Sequence, residues 1–297
     1  MAKENNNKYK IEELLKPKND IVFQSLFNQS NEKITKAFVE ALIEKKIDKI
    51  KINDIKELYR ENPQDKLGIL DLEIDVDNEQ KVDIEIQLVK REKFAERLLY
   101  YFSRLYANEI KIGDDYDKSK KVIIIAIIDY DLELTKELKK MTTKWKLREE
   151  ENSKLILTDC LEVDIIELSK VREEYNKNKE NEKAQWIMFL DNPNSKEVKE
   201  IMEKNEEIKD AVVTVHHMSE DEKLRKLAEL REKAILDEKA IKRAAQKDGF
   251  KIGHKEGIKE GIKEEKLNIA KKMKEMGLSI QDIVTATGLL KEDVEKL

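Results

Sequence analysis

The chain has 297 residues, of which 41% are charged and only 6% aromatic, and its formal net charge is −5. This composition is typical of a helix-rich globular protein and argues against a generally basic protein that coats nucleic acid through its overall charge. A single cysteine, Cys160, excludes an intrachain disulfide, and the N-terminal residues lack the apolar stretch of a signal peptide, so we expect a cytoplasmic protein.

The first segments have the apolar spacing of helices. Residues 1–16 are polar and are expected to form a flexible tail, and Asn19 or Asp20 is suited to begin the first helix as its N-cap. From Ile21 to Ile43 apolar residues recur at intervals of three and four, which indicates helix.

Residues 69–89 are predicted to form a β-hairpin. Two runs of alternating apolar and polar residues flank a polar loop at 77–80. The apolar members are Leu70, Leu72, Ile74 and Val76 in the first run and Val82, Ile84, Ile86 and Leu88 in the second. Such alternation is typical of antiparallel strands that bury one face.

Acidic side chains occupy the polar face of this hairpin. Because cross-strand partners share a face, keeping the two apolar rows together places Asp71 opposite either Glu85 or Gln87. Carboxylates that face each other repel unless a cation lies between them, so the pattern favours a metal site. The alternative is a polar face that is simply exposed to solvent, which is the default for antiparallel sheets.

The rest of the chain adds a helix and further strands, and then only helices. Residues 94–112 have the spacing of one long helix, residues 121–130 read as a buried strand, and residues 155–168 suit one or two more strands. The longest apolar run, Val122–Ile128, is too short to span a bilayer. From Lys170 onward the strand signals end, so we predict an α/β fold with a mixed sheet flanked by helices and an all-helical C-terminal region.

A four-residue repeat marks this C-terminal region. Its glycines are Gly249, Gly253, Gly257 and Gly261, and its lysines are Lys251, Lys255, Lys259 and Lys263. On a helix the two sets form separate stripes, and each glycine costs about 1 kcal/mol relative to alanine. Close approach of a second copy along the glycine stripe would offset that cost and predicts a homodimer. The alternative is a weak, bendable helical linker.

A set of short segments in a fixed order carries a family resemblance. The segments are Asp20–Phe27, Leu70–Asp71, Ile84–Gln87, Arg97–Ser103, Gly113 with Tyr116, Val122–Ile128, Glu167–Lys170, and the tail from Arg231 through the glycine repeat to Leu289. Together they resemble the Rpn family of recombination-promoting nucleases and transposase-like proteins, in the PD-(D/E)XK superfamily. The resemblance implies a restriction-endonuclease-like core and metal-dependent DNA cleavage linked to recombination, mobile DNA or defence. It also implies Mg²⁺ as cofactor, with Mn²⁺ or Ca²⁺ able to substitute or modulate.

The resemblance assigns roles by position in the sequence. Asp71, Glu85 and Gln87 would be the catalytic set. Asp71 and Glu85 would bind the metal together with the backbone carbonyl of Ile86, and Gln87 would orient the attacking water. Asp20, in the first helix, is a supporting acidic residue. These assignments fit the chemistry, since Mg²⁺ prefers oxygen ligands and phosphodiester hydrolysis needs an activated water.

Two departures and two supporting residues accompany this assignment. Gln87 stands where the superfamily motif has lysine, and Gln24 stands where lysine is usual after the first helix begins.

Arg97 is suited to brace a carboxylate or hold a phosphate. Tyr101 could brace the site as well, although it also fits the apolar stripe of its helix and could simply pack in the core.

Residues 269–297 have the spacing of a helix-turn-helix. The last helix is acidic, which disfavours contact with phosphate, so self-association or core capping is favoured over base reading. The four lysines of the repeat are better candidates for DNA contact, and a solvated coat is the equally open alternative.

A zinc site is not indicated. His216, His217 and Cys160 lack the spaced partners that such sites require.

The sequence thus predicts four parts: a tail at 1–16, a nuclease-like domain at 17–170, a helical segment at 171–240 that packs on it, and the glycine-repeat and helix-turn-helix-like region at 241–297. The predicted function is a metal-dependent DNA endonuclease with no membrane association. The rival is a non-catalytic DNA-binding or oligomerising scaffold with a degenerate nuclease site, which the glutamine at position 87 and the acidic net charge favour.

Overall fold

The structure is a computed structural model that describes residues 13–53, 71–110, 113, 115–116 and 119–297. Three sequence predictions fall partly on other residues: most of the N-terminal tail, Leu70 of the hairpin, and Lys111 with Ile112 of the long helix lie outside the described residues.

Strands occupy the first two thirds of the described chain and helices occupy both faces of the sheet and the C-terminal region. The strands are β1 Ile50–Asn53, β2 Leu72–Val76, β3 Gln80–Gln87, β4 Lys121–Ile128, β5 Thr142–Trp145 and β6 Leu161–Glu167. The helices are α1 Asp20–Leu26, α2 Glu32–Ile43, α3 Phe94–Glu109, α4 Val171–Lys177, α5 Glu182–Asp191, α6 Lys196–Met202, α7 Glu206–Glu220, α8 Glu222–Glu275, α9 Ile280–Thr287 and α10 Lys291–Glu295.

The strands form one mixed sheet in the order β1-β2-β3-β4-β6-β5. β2 is antiparallel to β1 and β3, β4 is parallel to β3 and β6, and β5 is antiparallel to β6. The parallel β3–β4 pair is connected through α3, as a parallel pair requires a crossover. The predicted α/β class, with a mixed sheet, flanking helices and an all-helical C-terminal region, is confirmed.

The two edge strands were not predicted. β1 and β5 have four residues each, too few to show a clear period, and each pairs with the next strand along the chain. Residues 155–168 contribute a single named strand, β6, and the helix predicted from Phe94 ends at Glu109 within the described residues.

The central strand β4 is buried on both faces and so separates two apolar layers. Ile123, Ile125 and Ile127 join one layer with α1, α2, α5 and α7, whereas Ile124 and Ala126 join the other with α3. Partners in a parallel ladder share a face, and β3 pairs its polar residues with the β4 residues under α3. The polar row of the predicted hairpin therefore lies beneath α3.

On the opposite face, aromatic packing fixes α1 and α2 against α5. The rings of Phe27 and Phe38 stack with their centroids 4.3 Å apart, and Phe38 lies 5.5 Å from the ring of Trp186. All three rings are fully or nearly fully buried. This packing fixes the position of α1, which carries Asp20 and Gln24, beside the start of β2.

The chain divides into two compact units, Met1–Ile235 and Leu236–Leu297. The second has its own small core of Ala270, Ile283, Leu289 and Val294. The finer domain boundaries stay predictions. None of the described helices has the length and apolar character needed to cross a membrane.

The predicted glycine-repeat helix corresponds to part of α8. A methyl group built on any of the four repeat glycines would meet no other atom of the described chain within 4 Å. The chain itself therefore provides no packing reason for glycine at these positions, and packing by a second copy stays a prediction.

Candidate active site

The acidic row of β3 is buried. Glu85 is 3% exposed and Asp83 is fully inaccessible, because the aromatic and leucine side chains of α3 cover this face of the sheet. The alternative of a solvent-exposed polar face is therefore wrong. A buried carboxylate needs either a proton or a cation, so this face is suited to bind one or the other.

Asp71 directly precedes Leu72, the first residue of β2, and lies beside Glu85. The β2–β3 register pairs Leu72 with Ile84, and the next pair in that register is Asp71 with Glu85. Asp71 also accepts a hydrogen bond through Oδ2 from the backbone N–H of Ile86, at 2.8 Å. The register thus decides between the two partners that the strand pattern left open.

The backbone of Ile86 points toward this carboxylate pair. In an extended strand the N–H and C=O of one residue face the same neighbouring strand. Since the Ile86 N–H bonds to the side chain of Asp71, its carbonyl oxygen is directed to the same side. Two carboxylates and a backbone carbonyl therefore converge at the edge of the sheet where β2 begins.

Helix α1 and its N-cap add three polar side chains. Asn19 is the N-cap of this helix and accepts a hydrogen bond from the Ile21 N–H at 3.1 Å. Gln24 Nε2 donates to Asp71 Oδ1 at 3.4 Å. Asp20 precedes Gln24 by one helical turn and therefore lies on the same face of α1.

The environment raises the pKa of both Asp71 and Glu85. Burial raises the pKa of Asp71 to about 6, and the charge of Asp20 acts in the same direction, whereas the Ile86 N–H lowers it. Burial raises the pKa of Glu85 to about 7, with the charge of Asp71 adding to the effect and Arg97 opposing it. A divalent cation would reverse this shift, because it stabilises the ionised form of both groups.

Gln87 is oriented from two sides. Its Nε2 donates to Glu85 Oε2 at 2.9 Å, and its Oε1 accepts from the hydroxyl of Tyr130 at 3.5 Å. The sequence pattern did not single out Tyr130 as a site residue. Tyr130 is the second residue after the end of β4. Burial raises the pKa of Tyr130 to about 12, so it stays a donor at neutral pH.

Arg97 and Tyr101 lie one turn apart on α3 and contact each other. Arg97 Nη2 donates to the Tyr101 hydroxyl at 2.9 Å, and the guanidinium lies 5.6 Å from the ring centroid. Tyr101 is 7% exposed and belongs to the apolar layer under α3, so the core-packing alternative holds for it. Arg97 Nη1 is buried with no hydrogen bond, and its charge lowers the pKa of Glu85.

Asp83 is a second residue that sequence reasoning missed. Both of its carboxylate oxygens are buried without a hydrogen-bond partner, and it lies two residues before Glu85 on the same face of β3. Burial raises the pKa of Asp83 well above its usual range, and the charges of Glu85 and Asp71 act in the same direction. The period-two pattern placed Asp83 on the polar face, which was the available signal.

The donor set fits a hard divalent cation. Glu85 Oε1 is buried and has no hydrogen-bond partner among the residues that the structure describes, which leaves one oxygen of this carboxylate available to an ion. The Asp71 carboxylate and the Ile86 carbonyl supply the other oxygen ligands that Mg²⁺ prefers.

The lysines predicted to contact DNA and the two neighbouring histidines lie on α8 and α7, outside the acidic row of β3. Lys251, Lys255, Lys259 and Lys263 are exposed on α8 in the second compact unit. His216 and His217 meet Glu220, one turn on along α7, so that their ligand atoms lie within 4.8 Å of one another. Glu220 was not among the residues that the sequence pattern singled out as a partner of the two histidines.

A family model described as "PD-(D/E)XK nuclease family transposase" matches residues 17–245, which is more than three quarters of the chain. No curated protein matches the chain. No solved structure matches it either.

Proposed function

The chain belongs to the family of PD-(D/E)XK nuclease family transposases, and from that premise we propose that it is a metal-dependent endonuclease that hydrolyses phosphodiester bonds in DNA. The observation that carries the proposal is the buried Glu85 beside the partly buried Asp71, where β2 begins, with one buried glutamate oxygen that has no hydrogen-bond partner among the described residues. Its biological setting would be recombination, mobile DNA or defence.

Asp71, Glu85 and the Ile86 carbonyl would hold the cation, for which we propose Mg²⁺, with Mn²⁺ or Ca²⁺ able to substitute or modulate. When bound, such an ion activates water and neutralises charge that develops on the phosphate. Hydrolysis would leave 5′-phosphate and 3′-hydroxyl ends. The role of the chain's own side chains is to fix the ligand oxygens and to exclude bulk water from them through the cover of α3.

Gln87 has a positioning role in this scheme. An amide does not titrate, so it cannot accept a proton as a base would. Its Nε2 holds one oxygen of Glu85 and thereby directs the other oxygen to the ion site. Tyr130 fixes the amide from its carbonyl side, which defines how Gln87 can orient a water.

A second candidate function is a non-catalytic DNA-binding or oligomerising scaffold with a degenerate site. The observation that favours it is the same Gln87–Glu85 hydrogen bond, since a lysine at this position would supply a positive charge that an amide does not.

A plasmid-nicking assay with Mg²⁺ separates the two candidates. We expect nicking by the wild type, and a loss of at least about 100-fold in Asp71→Ala and Glu85→Gln, since both variants remove a metal ligand. Glu92→Gln, which changes an exposed glutamate, is the matched control and should nick like the wild type. Equal nicking by all four preparations would indicate a contaminating nuclease and would overturn the proposal.

The partners follow from this function. DNA is the proposed substrate, Arg97, Tyr101 and Asp20 are proposed to support the site, and the lysines of the repeat are proposed to contact the DNA backbone. We also propose a homodimer through the glycine stripe of α8, within the predicted region 241–297. Light scattering of the full chain and of a chain that ends near Ala240 tests this, and an unchanged subunit number would dispose of the dimer.

A further inference from the structure

An arginine from α8 contacts the carboxylate of Asp20, 211 residues away in sequence. Arg231 Nε lies 3.0 Å and 2.7 Å from the two Asp20 oxygens, and Nη2 lies 2.6 Å from Oδ2. This is a bidentate contact, the geometry in which arginine binds carboxylates and phosphates most specifically. Arg231 lies outside the segment 17–170 that sequence reasoning assigned to the nuclease-like domain.

Asp20 connects this arginine to the candidate metal site. Asp20 and Gln24 share one face of α1, and Gln24 donates to Asp71. Arg231, Asp20, Gln24 and Asp71 therefore form a continuous polar line that ends at the proposed metal ligands. In agreement with this placement, the charge of Arg231 lowers the pKa of Asp71.

The attachment of α8 to α1 does not depend on Arg231. The amide of Asn19 donates to the carbonyl of Ala228 at 3.0 Å in a buried contact, and the side chains of Ala228 and Ile235 are buried. The Arg231–Asp20 pair is partly exposed, with 42% and 26% of the two side chains accessible, so screening by water leaves it a small effect on stability. A purely structural role thus gives little reason for a bidentate arginine at this place.

We propose that Arg231 is a DNA-binding residue of the active site, which Asp20 holds in position to contact a backbone phosphate beside the metal ligands. The planar guanidinium fork matches phosphate as well as carboxylate, so an arginine that Asp20 orients suits both partners. Asp71, Asp83 and Glu85 bring acidic groups together at the site, which disfavours DNA, and a second arginine besides Arg97 offsets that repulsion. The inference rests on the proposed function for its substrate, because the phosphate it binds is that of DNA.

The test measures binding of a fluorescently labelled DNA duplex to the full chain in EDTA, by anisotropy over a series of salt concentrations. Because no metal is present, binding is measured apart from cleavage. We expect Arg231→Gln to bind about tenfold more weakly than the wild type, and its slope of log Kd against log salt to fall by about one. Arg231→Lys should keep the salt slope and lose part of the affinity, because it keeps the charge and loses the bidentate geometry.

The matched control is Arg172→Gln, which removes another partly exposed arginine–carboxylate pair, between Arg172 on α4 and Glu197 on α6. It should bind DNA like the wild type. Thermal melts should show Arg231→Gln and Arg172→Gln within a few degrees of the wild type. If Arg231→Gln binds DNA with wild-type affinity and salt slope, or if it loses binding only because its melting temperature collapses, the inference is overturned.

Failure of the proposed function gives a different result. A chain that binds DNA through Arg231 in EDTA but nicks no DNA with Mg²⁺ is a scaffold in which this inference holds. A chain that nicks DNA while Arg231→Gln binds normally is a nuclease in which the inference is wrong.

Discussion

Replacing Glu85 with glutamine should stabilise the metal-free protein while it abolishes nicking. Glu85 is 3% exposed and its only hydrogen-bond partner among the described side chains is the amide of Gln87. Its pKa rises from 4.5 to about 7, so the folded state resists ionisation of this group. Glutamine has nearly the same shape and carries no charge, and the substitution therefore removes the cost of ionisation.

The size and the pH dependence follow from that pKa. Between pH 4.5 and about 7 the folded state binds more protons than the unfolded state, so the stability of the wild type falls as the pH rises through this range. At about 1.4 kcal/mol for each pH unit, the loss is roughly 3 kcal/mol at pH 8, which is an upper value because Asp83 and Glu85, on the same face of β3, titrate together. Below pH 4.5 residue 85 is uncharged in both the wild type and Glu85→Gln, so this group should contribute no difference in their free energies of unfolding.

Urea unfolding in EDTA at pH 5 and pH 8, followed by circular dichroism, measures this effect. Glu85→Gln should exceed the wild type by about 2–3 kcal/mol at pH 8 and by much less at pH 5. Saturating Mg²⁺ at pH 8 should then stabilise the wild type and leave the variant unchanged. A variant that is less stable than the wild type at pH 8, or a wild-type stability that does not fall between pH 5 and pH 8, would refute the reasoning.

Three further predictions concern other parts of the molecule. Asp83→Asn removes a buried carboxyl group whose ionisation burial disfavours, so it should raise the free energy of unfolding at pH 8 by about 1–3 kcal/mol in urea melts; a decrease there would contradict the inference that ionising Asp83 costs stability. Tyr130→Phe removes the hydrogen bond to the Gln87 carbonyl oxygen and should slow nicking about fivefold with a melting temperature near that of the wild type, whereas an unchanged rate would show that this contact does not orient the amide. Gly257→Leu should stabilise α8 by about 1 kcal/mol in a single chain but weaken dimers by blocking the glycine stripe, so light scattering should show a shift to monomer, and an unchanged mass would count against the stripe as the interface.

The hairpin and its flanking helices could be predicted from the sequence because their signals are local. Alternation in β2 and β3 has a period of two and restricts the partner of Asp71 to two residues. The final choice between Glu85 and Gln87 depends on the exact register, which the loop 77–80 sets and which alternation cannot resolve.

Other features depend on contacts between residues that are distant in sequence. Polar alternation predicts exposure by default, and only the packing of α3 across β3 shows that Asp83 and Glu85 are buried. The contact of Arg231 with Asp20 joins residues 211 positions apart, and no local pattern indicates it. Edge strands β1 and β5 were missed for a different reason, since each is too short to be recognised without its partner strand.

Affinity cleavage by bound iron tests most directly the claim that Asp71 and Glu85 form the divalent-metal site. With Fe²⁺ in place of Mg²⁺, hydrogen peroxide as oxidant and ascorbate to return Fe³⁺ to Fe²⁺, hydroxyl radicals formed at the ion cut the backbone nearby, and mass spectrometry locates the cuts. We expect cuts near Asp71 and within Glu85–Gln87 that disappear in Glu85→Gln and on addition of excess Mg²⁺. Cuts confined to the His216–Glu220 turn of α7, or cuts in β3 that persist in Glu85→Gln, would contradict it.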